Sequence, residues 1–481
     1  MRFQLASLTF SLAAVIPSIP AALQPAPALA APITVSAEIS SRLDAAVSKV
    51  LADTHAPGAA VAVQREGAAP YIKGYGYANV LHTAVVTPST RFEIGSVTKQ
   101  FTAAAILQLV EAKRISLDDR VEKFIKVYPK AGPLTLRQLL WQVSGLPNYS
   151  DIPHFVTIAS HKPASFAAIV ALVSNKPLEF KPGSRWGYSN TNYILLGRVI
   201  EVASEMPFDT YIKSHIFKAA DMTQSGTIAD EAHIPDMATG YYADKKGLHA
   251  SPKFRSGWAW SAGNIVSTAG DMLKWDEALF AGKIVSPQDV SAMTSPGMLA
   301  NGKSTSYGFG WIIDKQSGHK RIWHNGGRFG FGASNSVFPG DHLRMVVLIN
   351  DVAVAPSSIA TKVFESLSPD VAKSDCQAAR GEDAAVTVRA KEWLHRLQSG
   401  NIDRSQLTKQ MSDALTPASL ISLKQQLGAL GEPASFIYKG KQAAGGDTAY
   451  LYRIAFSSLT ATMTFTLNTA GKIGGLFLRP E

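Results

Sequence analysis

Phe92-Glu-Ile-Gly-Ser-Val-Thr-Lys-Gln-Phe-Thr-Ala-Ala-Ala-Ile-Leu107 is a turn running into a segment with no polar face. Gly95 and Ser96 punctuate the turn, and the residues after them are mostly apolar or small. That pattern predicts a buried helix over residues 96–112. A lysine inside such a run is informative, because buried lysines are rare unless paired. Ser96 and Lys99 lie three residues apart on one helix face, with β-carbons roughly 5–6 Å apart, so the hydroxyl reaches the amine. The serine also stands at a helix start, where free amides and the helix dipole favour developing negative charge. A serine hydroxyl is a weak nucleophile and needs a base. Lysine serves only when burial or nearby positive charge lowers its pKa from about 10.4. Ser96 is therefore the candidate nucleophile and Lys99 its candidate base. The spacing alone is weak, since Ser317-Gly-His-Lys320 repeats it. That copy lies in a polar turn between strand-like runs, with no helix to align its side chains.

Two later stretches suit the same chemistry. Tyr188-Ser-Asn190 follows Phe180-Lys-Pro-Gly183 and precedes a helix predicted over residues 192–203, so Tyr188 sits on a loop, where catalytic groups concentrate. Positive neighbours stabilise a phenolate, which makes Tyr188 a candidate for proton transfer. Asn190 has the donors and acceptor to hold Lys99 or a substrate amide. Tyr77-Ala-Asn79 has the same pattern but closes a Gly-Tyr-Gly-Tyr strand upstream of Ser96, which reads as structural. His324-Asn-Gly-Gly327 stands between strand-like runs, and its glycines let a backbone approach a ligand closely. The Gly327 amide, with that of Ser96, is positioned for an oxyanion hole. His324 offers a donor and proton carrier beside it.

In this order, Ser-x-x-Lys, Tyr-x-Asn and His-x-Gly resemble the serine beta-lactamase and penicillin-binding superfamily. The nearest branch holds class C beta-lactamases, D-alanyl-D-alanine carboxypeptidases, D-aminopeptidases and related esterases. The resemblance covers roughly residues 38–365 and includes Leu139-Leu-Trp-Gln-Val-Ser-Gly-Leu-Pro147, Ser261-Ala-Gly-Asn-Ile-Val-Ser-Thr268 and Tyr307-Gly-Phe-Gly-Trp311. It implies an α/β fold, with an antiparallel sheet flanked by helices plus a helical subdomain. It gives Ser96 the nucleophile role, Lys99 and Tyr188 proton transfer, and Asn190 support. His324, Asn325 and Gly326 fall where class C beta-lactamases carry Lys-Thr-Gly. A histidine there replaces a fixed charge with a group whose reference pKa is about 6.5. Arg328 is the residue placed to restore charge. The resemblance implies a covalent acyl-enzyme on ester, D-amino-acid peptide or beta-lactam carbonyls, without metal or organic cofactor. The alternative is a penicillin- or cell-wall-binding protein with weak or no turnover.

The remaining sequence sets the context. Arg2, the apolar stretch 5–16 and Ala28-Leu-Ala30 form a secretory leader over residues 1–30, so a secreted or periplasmic location is expected. Pro17 and Pro20 interrupt it too early for a span of about 20 residues, so no membrane anchor is expected. The 481 residues carry a formal charge of +10, but no Lys/Arg run exceeds two residues, which argues against nucleic acid as a partner. Cys376 is the one cysteine, so stability must come from a core rather than from disulfides. HExxH, paired CxxC, a Gly-rich Lys loop and GxSxG are absent from the sequence.

Residues 366–383 are polar and aperiodic, and the hydrolase segment is placed at 31–370, with a linker at 371–383. Residues 384–481 then read as a small α+β domain. Helical spacing at 384–398 and 417–430 precedes strands at 435–439, 449–456, 460–467 and 473–478, with a hairpin turn at 469–471. The order of elements resembles the cone-shaped fold of nuclear transport factor 2. It names no partner for this domain.

Overall fold

The structure is a computed structural model that describes residues 35–81, 84–228, 235–244, 246–253, 257–368, 378–444, 446–457 and 460–480. The expected leader, Cys376 and residues 371–377 of the expected linker lie outside these. Two compact units are present, residues 56–356 and residues 37–55 with 357–481.

The first unit is built on a seven-stranded antiparallel sheet. In spatial order its strands are Ala84–Val85, Tyr71–Asn79, Gly58–Arg65, Leu343–Ile349, Phe331–Phe338, His319–Arg328 and Ile312–Gln316. The apolar runs at Ala60-Val-Ala-Val and Met345-Val-Val-Leu-Ile349 put two central strands side by side, in register from Ala59↔Ile349 to Arg65↔Leu343. Their near-continuous burial requires cover on both faces. The Ala269–Phe280 helix packs against both of them.

The predicted helix at 96–112 is a 3-10 turn, Gly95–Val97, followed by the α-helix Thr98–Glu111, which is buried from Thr98 to Leu107. The helix predicted at 192–203 runs Asn190–Ser204 and packs beside it. Short helices such as Leu136–Leu140, Phe155–His161 and Phe166–Ala171 occupy the chain between them. Ser317 and Gly318 both have positive φ in the hairpin joining Ile312–Gln316 to His319–Arg328, so the second Ser-x-x-Lys is a turn.

The tail sheet is antiparallel, in the order Ser435–Ala444, Asp447–Ala455, Thr460–Leu467 and Ile473–Pro480. Tyr452, Ile454 and Phe456 are buried and Tyr450 packs against the same core, as the two-residue period requires. Trp393, Leu394 and Leu397 supply the helical side of that core. The turn closes through Asn468, whose Oδ1 accepts from the amides of Ala470 and Lys472. A helix at Lys409–Ala414, capped by Thr408, is additional to the sequence expectation and too short to show a period. Among the described residues no helix is long and apolar enough to cross a membrane.

A polar cluster sits between the Ser96-bearing helix and the sheet. The Asn335 amide donates to Asp276 Oδ1 at 2.7 Å and to Gln100 Oε1 at 3.1 Å, and the Trp275 indole donates to the same Gln100 oxygen. Burial raises the Asp276 carboxyl to about 7, against the opposing pull of the Asn335 bond and the Arg344 charge. The folded state then holds a proton that the unfolded chain releases near its ordinary carboxyl pKa of about 3.9. Asp276 therefore lowers stability progressively as pH rises from about 4 to 7. The Asp276→Asn variant mimics the protonated form. Its urea midpoint should match wild type near pH 4 and exceed it at pH 7.5; an unchanged difference between those pH values would contradict burial of an acid here.

Candidate active site

The 3-10 turn presents Ser96 at the start of the Thr98–Glu111 helix, and the next helical turn buries Lys99 completely. Lys99 Nζ lies 3.0 Å from Ser96 Oγ, 2.8 Å from Asn190 Oδ1 and 2.8 Å from the Ala262 carbonyl oxygen. Tyr188 Oη donates to the same Ser96 Oγ at 2.9 Å. The Lys99 nitrogen also stands 4.9 Å from the centroid of the Tyr188 ring and 5.6 Å from that of Tyr193. The hydroxyl and amine of one helical turn thus meet, at one oxygen, a phenol from a distant part of the chain.

Burial pushes the Lys99 amine well below its ordinary value. It also pushes the Tyr188 phenol up, against the smaller effect of its bond to Ser96. Neighbouring cations do not favour a phenolate here as expected; desolvation instead favours the protonated Tyr188. Donor counting then fixes a direction. An ammonium gives three N–H bonds, which matches the three oxygens around Lys99. A neutral amine has two N–H bonds and a lone pair, so one contact must reverse. The Ala262 carbonyl and the Asn190 amide oxygen have no proton to give, whereas the Ser96 hydroxyl has one.

The Tyr-x-Asn loop is clamped by residues of the Leu139–Pro147 stretch. Gln142 Oε1 accepts from the Ser189 amide, and the Gln142 carbonyl accepts from the Gly187 amide at 2.9 Å. Asn148 Oδ1 accepts from the Asn190 amide, and Asn190 Nδ2 donates to Ser150 Oγ. Gln142, Asn148, Ser150 and the Ala262 carbonyl were missed as site residues. Two of the accessory stretches contained Gln142 and Ala262, but sequence gives a main-chain acceptor no signature.

The third motif lies on the His319–Arg328 strand, which packs against the Gly95–Val97 turn. A β-carbon on Gly326 would fall 1.8 Å from the Ile94 carbonyl oxygen. One on Gly95, whose φ is +50°, would fall 2.8–3.0 Å from Gly327 backbone atoms. The glycines therefore let two backbones touch beside Ser96, bringing the Ser96 and Gly327 segments together.

A family model described as Beta-lactamase matches residues 43–365. The chain belongs to the beta-lactamase family. A penicillin-binding protein of Bacillus subtilis is 30% identical over 298 residues, covering 59% of this chain and 66% of its own length. A D-aminopeptidase of Gluconobacter oxydans is 28% identical over 323 residues, covering 66% of this chain and 61% of its own. The matches thus reach about two thirds or less of these relatives' lengths. The solved structure of the octameric penicillin-binding protein homologue from Pyrococcus abyssi has a TM-score of 0.62 at 24% identity. It covers 92% of this chain and 98% of its own, so the shared fold extends beyond the family-matched segment.

Within this beta-lactamase fold, two charge expectations change. His324 is buried, its Nδ1 2.6 Å from the Asn325 carbonyl oxygen and its Nε2 3.0 Å from Tyr307 Oη. The carbonyl accepts only, so Nδ1 carries the proton and Nε2 accepts from the phenol. Burial, with the Lys99 charge adding, pushes the imidazole down to about 3. His324 is therefore a neutral group with both nitrogens occupied, and the proton-carrier role expected of it is not supported. Arg328 does not restore a substrate-facing charge either, because it forms a buried ion pair with Glu93. Asn325 lies beside these groups, paired across the sheet with Ser334.

The glycine seam makes a paired prediction. Gly326→Ala meets backbone and should cost about 1–3 kcal/mol. Gly327→Ala meets no atom within 4 Å and should fold with near wild-type stability. Equal urea midpoints for the two variants would contradict the seam.

Proposed function

We propose that this protein is an exported serine hydrolase that acylates Ser96 and releases the acyl group with water. The observation that carries the reading is a serine oxygen bonded at once to a desolvated lysine amine and a phenol. Neutral Lys99 takes the Ser96 proton while Oγ bonds to the substrate carbonyl carbon. The resulting oxyanion is held by the Ser96 and Gly327 amides. Tyr188 hands its proton to the departing oxygen or nitrogen and recovers one from Lys99. Water then repeats the sequence on the acyl-enzyme. Export rests on the leader-like residues 1–30.

The substrate class follows from charge. With His324 neutral and Arg328 paired to Glu93, neither residue offers a positive charge to a substrate carboxylate. We therefore favour esters and amides, including D-amino-acid amides and peptides with a free amino end, over carboxylate-bearing beta-lactams. The relative named a D-aminopeptidase supports this preference. Side-by-side turnover of p-nitrophenyl butyrate, a D-alanyl amide and nitrocefin tests it, and nitrocefin as the best substrate would overturn it. A Ser96→Ala variant should lose covalent labelling by a fluorophosphonate; retained labelling would remove Ser96 as nucleophile.

The pH profile follows from Lys99. Below its lowered pKa the amine is an ammonium and cannot accept the serine proton, so the rate falls on the acid side. No further limb from His324 is expected between about pH 5 and 8. Lys99→Arg holds a permanent charge and should lose about 10²–10⁴-fold in acylation. A Lys99→Arg enzyme with an intact acid limb would refute the assignment of the base.

A further inference from the structure

We propose that the buried Glu93–Arg328 pair sets the geometry of the oxyanion hole, with both residues acting as positioning groups; the proposal rests on the acyl-transfer reading. Glu93 stands three residues before Ser96, and Arg328 directly follows Gly327. Their side chains, 8% and 6% exposed, pair across the seam between the Gly95–Val97 turn and the His319–Arg328 strand. That seam is otherwise glycine against backbone, Gly95 against Gly327 and Gly326 against Ile94. Glycines permit the close approach but supply no side chain to stop one strand sliding past the other. The hole needs a fixed separation between two amides, one on each side of the seam. The ion pair crosses it within three residues of both.

Arg328 Nη1 also reaches the Gly263 carbonyl oxygen at 3.5 Å. The neighbouring residue is Ala262, whose carbonyl oxygen holds Lys99 Nζ at 2.8 Å. One guanidinium therefore connects the oxyanion side of the site to the segment that cradles the base. A buried ion pair stabilises poorly against an apolar pair of similar volume, because both charges lose water. Its use at this seam is consistent with a demand for register.

The test compares Glu93→Gln, Arg328→Gln and the double variant Glu93→Leu/Arg328→Met. Two readouts are needed: kcat and KM on p-nitrophenyl butyrate, and the Kd of phenylboronic acid, which forms a tetrahedral adduct on Ser96 and places an oxygen in the hole. In each variant kcat and boronate affinity should fall together by about 10²-fold, with KM little changed. The double variant removes both charges at once, so it should fold at wild-type Tm or above, keep the acid limb of the pH profile and remain slow. If the single variants fail to fold, the double variant carries the comparison alone. A double variant with wild-type kcat and boronate affinity would overturn the positioning role. Wild-type protein that neither cleaves the ester nor binds the boronate would instead remove the acyl-transfer reading, and this proposal with it.

Discussion

An amine taken out of water is the constraint on which the rest of the site depends. Charged Lys99 in an apolar helix would be costly, and three oxygens offset that cost while leaving the uncharged form within reach. Each oxygen brings its own structural demand. Ser96 must precede the lysine by one helical turn. Asn190 must begin the neighbouring helix, and Ala262 must aim a carbonyl inward from the Trp260–Gly263 turn. The buried face that lowers the lysine pKa is thus the same packing that aligns its partners.

Desolvation acts in opposite directions on the two proton carriers. It favours the neutral form of each, so the lysine loses a proton more easily and the tyrosine less easily. The proposed base and acid thereby share one physical cause, without a neighbouring charge for either. The same burial neutralises His324, and Tyr307 and the Asn325 carbonyl fix its tautomer. The third motif consequently works as shape and backbone, and its charge lies inward on Glu93.

The sheet, the buried helix and the tail's helices and strands were legible because they follow from apolar period and run length. Met345-Val-Val-Leu-Ile349 has few alternatives to a central strand, and the tail strands followed their alternation. Ser96, Lys99 and Tyr188 were legible as a set of side chains with complementary chemistry, though their meeting is a tertiary fact. What stayed hidden depends on contacts between distant segments. Ala262 contributes a carbonyl that any residue would carry, and Gln142 acts through a loop clamp. The Arg328 partner, Glu93, lies on the other side of the seam, so sequence left the arginine available for substrate. His324 was assigned a role from its reference pKa, which burial then moved.

The proposed base is Lys99, whose amine burial pushes well below its ordinary value. The most direct measurement is an NMR titration of the Lys99 side-chain carbon next to Nζ, in protein carrying isotope-labelled lysine and assigned with a Lys99→Arg variant. The account predicts a midpoint clearly below the ordinary lysine value of about 10.4. A midpoint at or above that value would leave an ammonium beside Ser96 and contradict it.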